Sequence, residues 1–400
     1  MDYNQYLKEL LSRPIPKEMA FAESEYRRRV DRVRTSMDDD GLDVLLVTFI
    51  PDVCYMSGYQ AFAADLHACM VLPREGVPTL QVAELEIPGA LLSGWVEDVR
   101  GVGWTDRDAV TIELSSLLKE RGLDGKRIGV ETKRSGLSID VYEGLKRSLP
   151  SATFVDASDL VVRSRLIKSP AELEHMRKAA RITNKGIEAA LKIVRPGVTE
   201  NDIASVGFQT MVKEGSEYFS SQPIVAGAHR SGWVHASFKR TPIQAGHTVI
   251  LEFGAAYQRY TSAIMHTASV GEPSPAVERL VKASTETLDL LLQTVKPGRT
   301  AHDVAREVRR GLKDISAEAY WTGMYGYSIG LGFPPTWRET ITYIAEGIDQ
   351  PLEPGMTFHS PISLRLPGTA GVGFSETWVV TEAGCEVLTE HDRTLTVVPA

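Results

Sequence analysis

The sequence predicts a two-domain chain, an α/β domain followed by an α+β domain with an internal repeat. Three observations carry this. Strand-like and helix-like segments alternate over Ala22–Val155, the pattern of a layered α/β domain. A strong helix start follows, because Ser169-Pro170-Ala171-Glu172 is a capping box with Pro at the first helical position. Beyond it, Arg195-Pro-Gly-Val-Thr-Glu-Asn-Asp202 and Lys296-Pro-Gly-Arg-Thr-Ala-His-Asp303 share Pro, Gly, Thr and Asp at the same places. The expected domains are 1–165 and 166–400. A chain of 400 residues, 43% of them hydrophobic, is long enough to build two cores.

The elements follow in order. Ala22–Asp40 carries Tyr26, Val30, Val33 and Met37 on one stripe and stops at Gly41, so it predicts an amphipathic helix with a glycine cap. Leu42–Phe49 is apolar throughout and reads as a buried strand. Asp52–Tyr59 is expected to be a loop leading into a turn. Ala68–Leu72 and Thr79–Val82 read as paired strands, Thr111–Arg121 as a helix, Arg127–Glu131 as a strand and Ile139–Leu149 as a helix. A long helix, Ala171–Val194, opens the second domain. Each repeat copy follows a long amphipathic helix, stops it with Pro-Gly, and starts the next through Thr199 with Asp202 or Thr300 with Asp303. Each half then runs into β-rich sequence, Thr248–Phe253 and Tyr257–Val270 in the first, Thr357–Leu366 and Gly373–Thr381 in the second. Two similar halves packed about a pseudo-twofold axis leave a cleft between them, a default place for a ligand.

Composition narrows the function. Net charge is −8 and the basic residues are scattered, which excludes a nucleic-acid surface. No apolar run is long enough to span a membrane, and the N-terminal segment lacks the charged-then-apolar pattern of a signal peptide. Cys54, Cys69 and Cys385 fit neither a disulfide framework nor a zinc site, so a cytoplasmic protein is expected.

The segment Leu251–Thr267, LEFGAAYQRYTSAIMHT, is the most informative. With Gly254, Tyr257, Tyr260, Ser262 and Thr267 in place, it resembles the metal-binding hairpin of the pita-bread creatinase, aminopeptidase P and prolidase superfamily. The resemblance covers nearly the whole chain and implies a creatinase-type α/β N-terminal domain plus an α+β pita-bread (creatinase/aminopeptidase-like) C-terminal domain with a pseudo-twofold repeat. The metallopeptidases of that family hold two ions with two Asp, one His and two Glu. Here the first Asp position is Glu252, the second Ala263, and the His position Tyr327 in Gly326-Tyr-Ser-Ile-Gly330. The first Glu falls near Ser360-Pro361, and the last is matched to Glu376 in Phe374-Ser-Glu-Thr-Trp378. Two carboxylates are too few for a pair of divalent ions, so no metal and no other cofactor are expected. Among metal-free relatives, Thr322–Glu339 (TGMYGYSIGLGFPPTWRE), Met356-Thr-Phe-His359, Ser375-Glu-Thr377 and the Glu at position 252 most resemble the ectoine hydrolases.

The resemblance places several residues in the cleft. Glu252 is the candidate nucleophile or general base; a buried Glu satisfied by backbone donors is the plain alternative. His235, in Gly232-Trp-Val-His-Ala-Ser237, is the candidate acid, because an amine leaves poorly unless protonated; the alternative is a surface-loop histidine. His359 is a second acid, base or substrate donor, or a structural strand histidine. Glu376 would orient a histidine or pair with a substrate nitrogen. Tyr327 would donate to a carboxylate or a developing oxyanion. Trp233, Tyr325, Phe333, Trp337 and Phe358, with Tyr327 and Trp378, suit a cationic solute, since an amidinium over a ring face gains roughly 0.5–2 kcal/mol; ordinary core packing is the alternative. Arg338 or Arg365 would pair with a substrate carboxylate. In dimers of this family the N-terminal domain can cap the partner's cleft, which brings Tyr55 and His67 into consideration.

The reading is therefore a metal-independent hydrolase of a C–N bond in a small cyclic amidine, with ectoine the leading substrate, acting as a homodimer on a small molecule. The alternatives are a creatine-like guanidine or other amide as substrate, a lyase, a metal-dependent Xaa-Pro peptidase-like enzyme, and an inactive pita-bread binding module.

Overall fold

Strands buried along most of their length organise both units of the computed structural model, which describes residues 1–106 and 108–400. The units are Met1–Arg165 and Leu166–Ala400.

The first unit runs α1 (Tyr3–Leu11), α2 (Glu23–Asp39), β1 (Val44–Val47), α3 (Ile50–Ser57), β2 (Ala68–Pro73), β3 (Thr79–Ala83), α4 (Ile87–Ser93), β4 (Asp98–Val102), α5 (Ala109–Glu120), β5 (Arg127–Val130), α6 (Ile139–Ser148), β6 (Thr153–Asp156) and α7 (Leu160–Leu166). Its sheet has the order β4-β3-β2-β1-β5-β6 and is mixed. β2 is antiparallel to β1 and β3, whereas β1–β5, β5–β6 and β3–β4 are parallel. Leu114, Leu117 and Leu118 of α5 and Leu145 of α6 pack on Val44, Leu46, Val71, Ile128 and Val130. Each helix therefore buries one helical stripe against the apolar face of the sheet.

One expectation in this unit is corrected. The segment expected as a loop from Asp52 is the helix α3, with Pro51 in its first turn and a left-handed Gly58 (φ 80°) closing it. All eight of its residues are buried, so no polar face marks it as a helix. Asp52 is buried with Arg165, Nη1 to Oδ1 2.5 Å, a pair far costlier to break than to replace.

The second unit runs α8 (Pro170–Leu191), α9 (Glu200–Lys213), β7 (Ile224–Gly227), β8 (Thr248–Tyr257), β9 (Tyr260–Val270), α10 (Pro275–Thr294), α11 (Ala301–Val308), β10 (Met324–Phe333), β11 (Thr336–Ala345), β12 (Thr357–Leu366), β13 (Ala370–Thr381), β14 (Gly384–Val387) and β15 (Thr396–Val398). The sheet order is β14-β13-β12-β10-β9-β8-β7, with β11 on β10 and β15 on β9. β10 and β11 extend the strand set beyond the segments expected from sequence.

Ser169 and Glu172 form a reciprocal capping box at the start of α8. The two Pro-Gly segments adopt the same local structure. Thr199 and Thr300 cap α9 and α11 by accepting from the N–H of Asp202 and Asp303. Gly197 and Gly298 both sit at left-handed φ, 86° and 84°, where only glycine is unstrained. Their N–H groups donate to Ile243 O and Leu352 O.

Two apolar cores lie in this unit. One joins Ile182, Ile187, Ile203 and Met211 of α8 and α9 to Leu251, Phe253, Ile264 and Ala268. The other joins Leu280, Leu288, Leu291 and Val304 of α10 and α11 to Phe358, Ile362, Leu364, Phe374 and Trp378. Because side chains alternate along a strand, the residues between these core positions face the other side of the sheet.

Candidate active site

That other side carries the polar candidate residues. On β8, Leu251, Phe253 and Ala255 point into the first core, so Glu252 and Gly254 face away from it. Their partners across the hairpin are Met265 and Ala263. On β12, Phe358, Ile362 and Leu364 belong to the second core, leaving His359, Pro361, Ser363 and Arg365 on the opposite face. On β13, Phe374 and Trp378 are core, leaving Gly373, Ser375 and Thr377 opposite. Tyr327 pairs with His359 across β10 and β12.

Glu252 is 5% exposed, accepts no hydrogen bond and makes no direct ion pair among the described residues. Burial pushes its carboxyl up to about 7, and the positive charge of Arg365 draws it back down. Arg365 is itself buried. Its Nη1 donates to Leu364 O and Val372 O at 3.2 and 3.3 Å, and its Nε has no partner among the described residues. Burial lowers the guanidinium to about 10, with Glu252 acting in the opposite sense, so it stays cationic at neutral pH. The site thus holds one carboxyl group and one guanidinium that act on each other through space without touching.

A chain of hydrogen bonds lies beside them. Trp337 Nε1 donates to Tyr327 Oη at 2.8 Å. Tyr327 Oη lies 2.8 Å from His359 Nδ1, and His359 Nε2 lies 2.7 Å from Ser375 Oγ. Met265 N–H donates to the same serine oxygen at 2.5 Å. Burial lowers His359 to about 3, so its imidazole is neutral across the physiological range. Burial and then the charge of Glu252 hold the Tyr327 phenol well above the usual tyrosine range, so it is a neutral hydrogen-bond donor or acceptor. Gly254 makes room for the indole: a Cβ there would lie 2.8 Å from Trp337 Cε3.

The remaining candidates are placed as follows. Glu376 is corrected. It lies on the core face of β13, opposite to Ser375, where it accepts from Thr389 Oγ1 and lies within 3.5 and 3.6 Å of His391 and Arg393. A one-residue step along a strand reverses the face, so Ser375 holds the inward position assigned to Glu376. No hydrogen bond or ion pair joins Glu252 to His235, the candidate nucleophile and the candidate acid, among the described residues. His235 is exposed, at φ 59°, on the loop after the short turn Ala228–Gly232, and Trp233 beside it is 61% exposed. Phe358 is core, stacked on Trp378 at 4.8 Å. Tyr325 is also core, against Trp321, because a bulge between Met324 and Gly326 breaks the alternation that would have aligned it with Tyr327. Phe333 is buried beneath the Arg259 guanidinium, 4.5 Å away. Arg338 is exposed. In the first unit Tyr55 is not a free contact residue: its hydroxyl donates to Ser164 O at 3.1 Å and its ring lies under Arg29. His67 is half-buried with Nε2 3.0 Å from Gln81 Oε1, and burial lowers its pKa. Sequence reasoning overlooked Ser375, although Phe374 and Trp378 on either side define the alternation that turns it inward.

The donor set does not suit a divalent ion. Among the described residues no group of three His, Cys, Asp or Glu side chains gathers where it could hold a metal. Beside Glu252 the positions where the family holds metal carry Ala263, Tyr327 and Ser375, both ring nitrogens of His359 are engaged by Tyr327 and Ser375, and the opposite charge acting on Glu252 is the Arg365 guanidinium.

A pita-bread hydrolase scaffold is what this arrangement of sheet, paired cores and inward-facing strand residues defines. Residues 174–382 match the model of metallopeptidase family M24, and residues 29–167 match the creatinase/prolidase N-terminal domain; the chain belongs to family M24. It is 32% identical to an uncharacterized hydrolase/peptidase, y4tL, of Sinorhizobium fredii, over 94% of this chain and 98% of that one. It is 28% identical to the ectoine hydrolase of Halomonas elongata, over 95% and 98%. Among solved structures it matches the X-Pro aminopeptidase of Thermotoga maritima with a TM-score of 0.82 and 25% identity, covering 92% of this chain and 99% of that one.

Proposed function

We propose that this hydrolase opens the ring of a small zwitterionic cyclic amidine of the ectoine type, without a metal ion, using Glu252 as its central group. The observation that carries the reading is the separated pair of buried charges. Glu252 and Arg365 face one site yet make no direct ion pair. A ligand bearing an amidinium and a carboxylate supplies one partner for each, which neutralises two buried charges at once. Similarity to the ectoine hydrolase of Halomonas elongata supports the substrate class.

In this reading the Glu252 carboxylate either adds to the amidine carbon, giving a covalent adduct that water then cleaves, or takes a proton from a water that adds there. The C–N bond then breaks and the released nitrogen takes up a proton. Tyr327 lies beside Glu252 as a neutral phenol that can donate a hydrogen bond at the reacting centre. Arg365 holds the substrate carboxylate and keeps a fraction of Glu252 ionised near neutrality. A peptidase of the Xaa-Pro type, suggested by the fold relatives, lacks support from Glu252, Ala263 and Tyr327, which stand where the two Asp and the His ligands of one are expected.

The test is turnover of ectoine, followed by NMR detection of the ring-opened N-acetylated diamino acid. Wild type is expected to open the ring and Glu252→Ala to lose about a thousandfold or more in rate. Undiminished turnover in Glu252→Ala, or cleavage of Xaa-Pro dipeptides with no action on ring amidines, sinks the reading.

A further inference from the structure

The chain Trp337–Tyr327–His359–Ser375 has two internally consistent proton arrangements, and its two ends distinguish them. Both terminal oxygens already accept from groups that can only donate, Trp337 Nε1–H at Tyr327 Oη and Met265 N–H at Ser375 Oγ. If His359 carries its proton on Nε2, it donates to Ser375 Oγ, and Tyr327 gives its own proton to Nδ1. The serine proton is then left over. Ser375 is completely buried, and among the described residues its hydroxyl has no partner besides Met265 and His359. If His359 carries its proton on Nδ1, Ser375 donates to Nε2, Nδ1–H donates to Tyr327 Oη, and the leftover proton belongs to Tyr327. That proton lies at the end of the chain where Glu252 stands with its carboxylate free of hydrogen bonds, and where a ligand can take it up. The first arrangement strands a donor in the closed interior, and the second delivers it to the site.

We propose that Ser375 is a positioning residue: by donating to His359 Nε2 it holds the imidazole in the Nδ1–H form, and this in turn points the Tyr327 O–H into the site as a fixed donor for the reacting centre. The tautomer rests on the hydrogen-bond geometry and on the closed surroundings of Ser375, while its kinetic consequence rests on the function proposed above. No net proton transfer along the chain is required; Tyr327 stays neutral, and its oxygen accepts from Trp337 and His359 while its proton engages the substrate. Preorganised donors of this kind cost no reorientation at the moment of reaction.

The experiment has two parts. Nitrogen-15 NMR of histidine-labelled resting protein, with His359→Gln used to assign the signal, reads the tautomer without any substrate. Wild type is expected to show a protonated Nδ1 and a bare Nε2, and Ser375→Ala is expected to invert them. Kinetics on the ring substrate then read the consequence. Tyr327→Phe is expected to lose about 100- to 1,000-fold in kcat. Ser375→Ala is expected to lose kcat with little change in KM, and Ser375→Thr, which keeps the hydroxyl, to restore it. A wild-type His359 protonated on Nε2 overturns the proposal, even if the Ser375 variants fail to fold. So does full kcat in Tyr327→Phe. The Nδ1–H form in a protein that opens no ring amidine supports the assigned tautomer and condemns the function instead.

Discussion

Glu252 concentrates the proposed chemistry at the residue scale. Its carboxyl is raised to about 7 by burial, so the ionised fraction grows as pH rises through neutrality. If the carboxylate acts as nucleophile or base, kcat/KM should climb through an apparent pKa near 7, and no second limb should arise from His359, which is already neutral. Arg365→Met removes the charge that draws Glu252 down and should move the climb to higher pH, as a pH–rate profile would show; an unmoved limb excludes the coupling. Stability runs in the opposite sense. A carboxyl raised in the folded state binds its proton more tightly there than in the unfolded chain. The folded protein therefore loses stability as pH rises from about 4.5 to about 7, by up to about 3 kcal/mol. Glu252→Gln should melt higher than wild type at pH 8 and not at pH 5. Equal differences at both values would show that Glu252 is not raised.

At the scale of the element, strand alternation decides which residues meet. Phe374, Trp378, Phe358 and Ile362 define the core face of β12 and β13, and the odd-numbered residues between them become the site. The sequence displays this period directly, yet the family motif favours Glu376 over Ser375 and so puts a carboxylate on the wrong face. Tyr325 shows a different limit, since the bulge that turns it into the core depends on the pairing of β10 with β11. The β8–β9 hairpin and the β10–β11 hairpin are fitted together at Gly254 and Trp337. Gly254→Ala would bring a methyl 2.8 Å from the indole, which should cost about 1–3 kcal/mol of stability and lower kcat by displacing the indole from Tyr327. A denaturation curve and an assay check both, and a neutral outcome in each would mean the indole moves freely. Thr199→Ala and Thr300→Ala should each cost about 1 kcal/mol through the lost cap.

At the scale of the whole molecule, the two described cores of the second unit support two sets of strands whose remaining faces carry one carboxylate, one guanidinium and a buried polar chain. If the chemistry runs without a divalent ion, dialysis against a chelator should leave turnover unchanged, and metal analysis should find well under one ion per chain. Loss of activity on chelation with recovery on adding Mn(II) or Zn(II) would return the protein to the peptidase mechanism.

The sequence by itself determined the pita-bread class, the capped helix starts at Ser169, Thr199 and Thr300, and the hairpin around Glu252. Those features are written locally, in caps, turns and short motifs whose physical meaning does not depend on distant residues. Only the tertiary structure decided that Glu252 faces Arg365 rather than His235, that Ser375 and not Glu376 turns inward, and that Tyr325 and Phe358 belong to the core. Those outcomes depend on strand pairing and on burial among side chains far apart in the chain, where a shift of one residue exchanges the site for the interior.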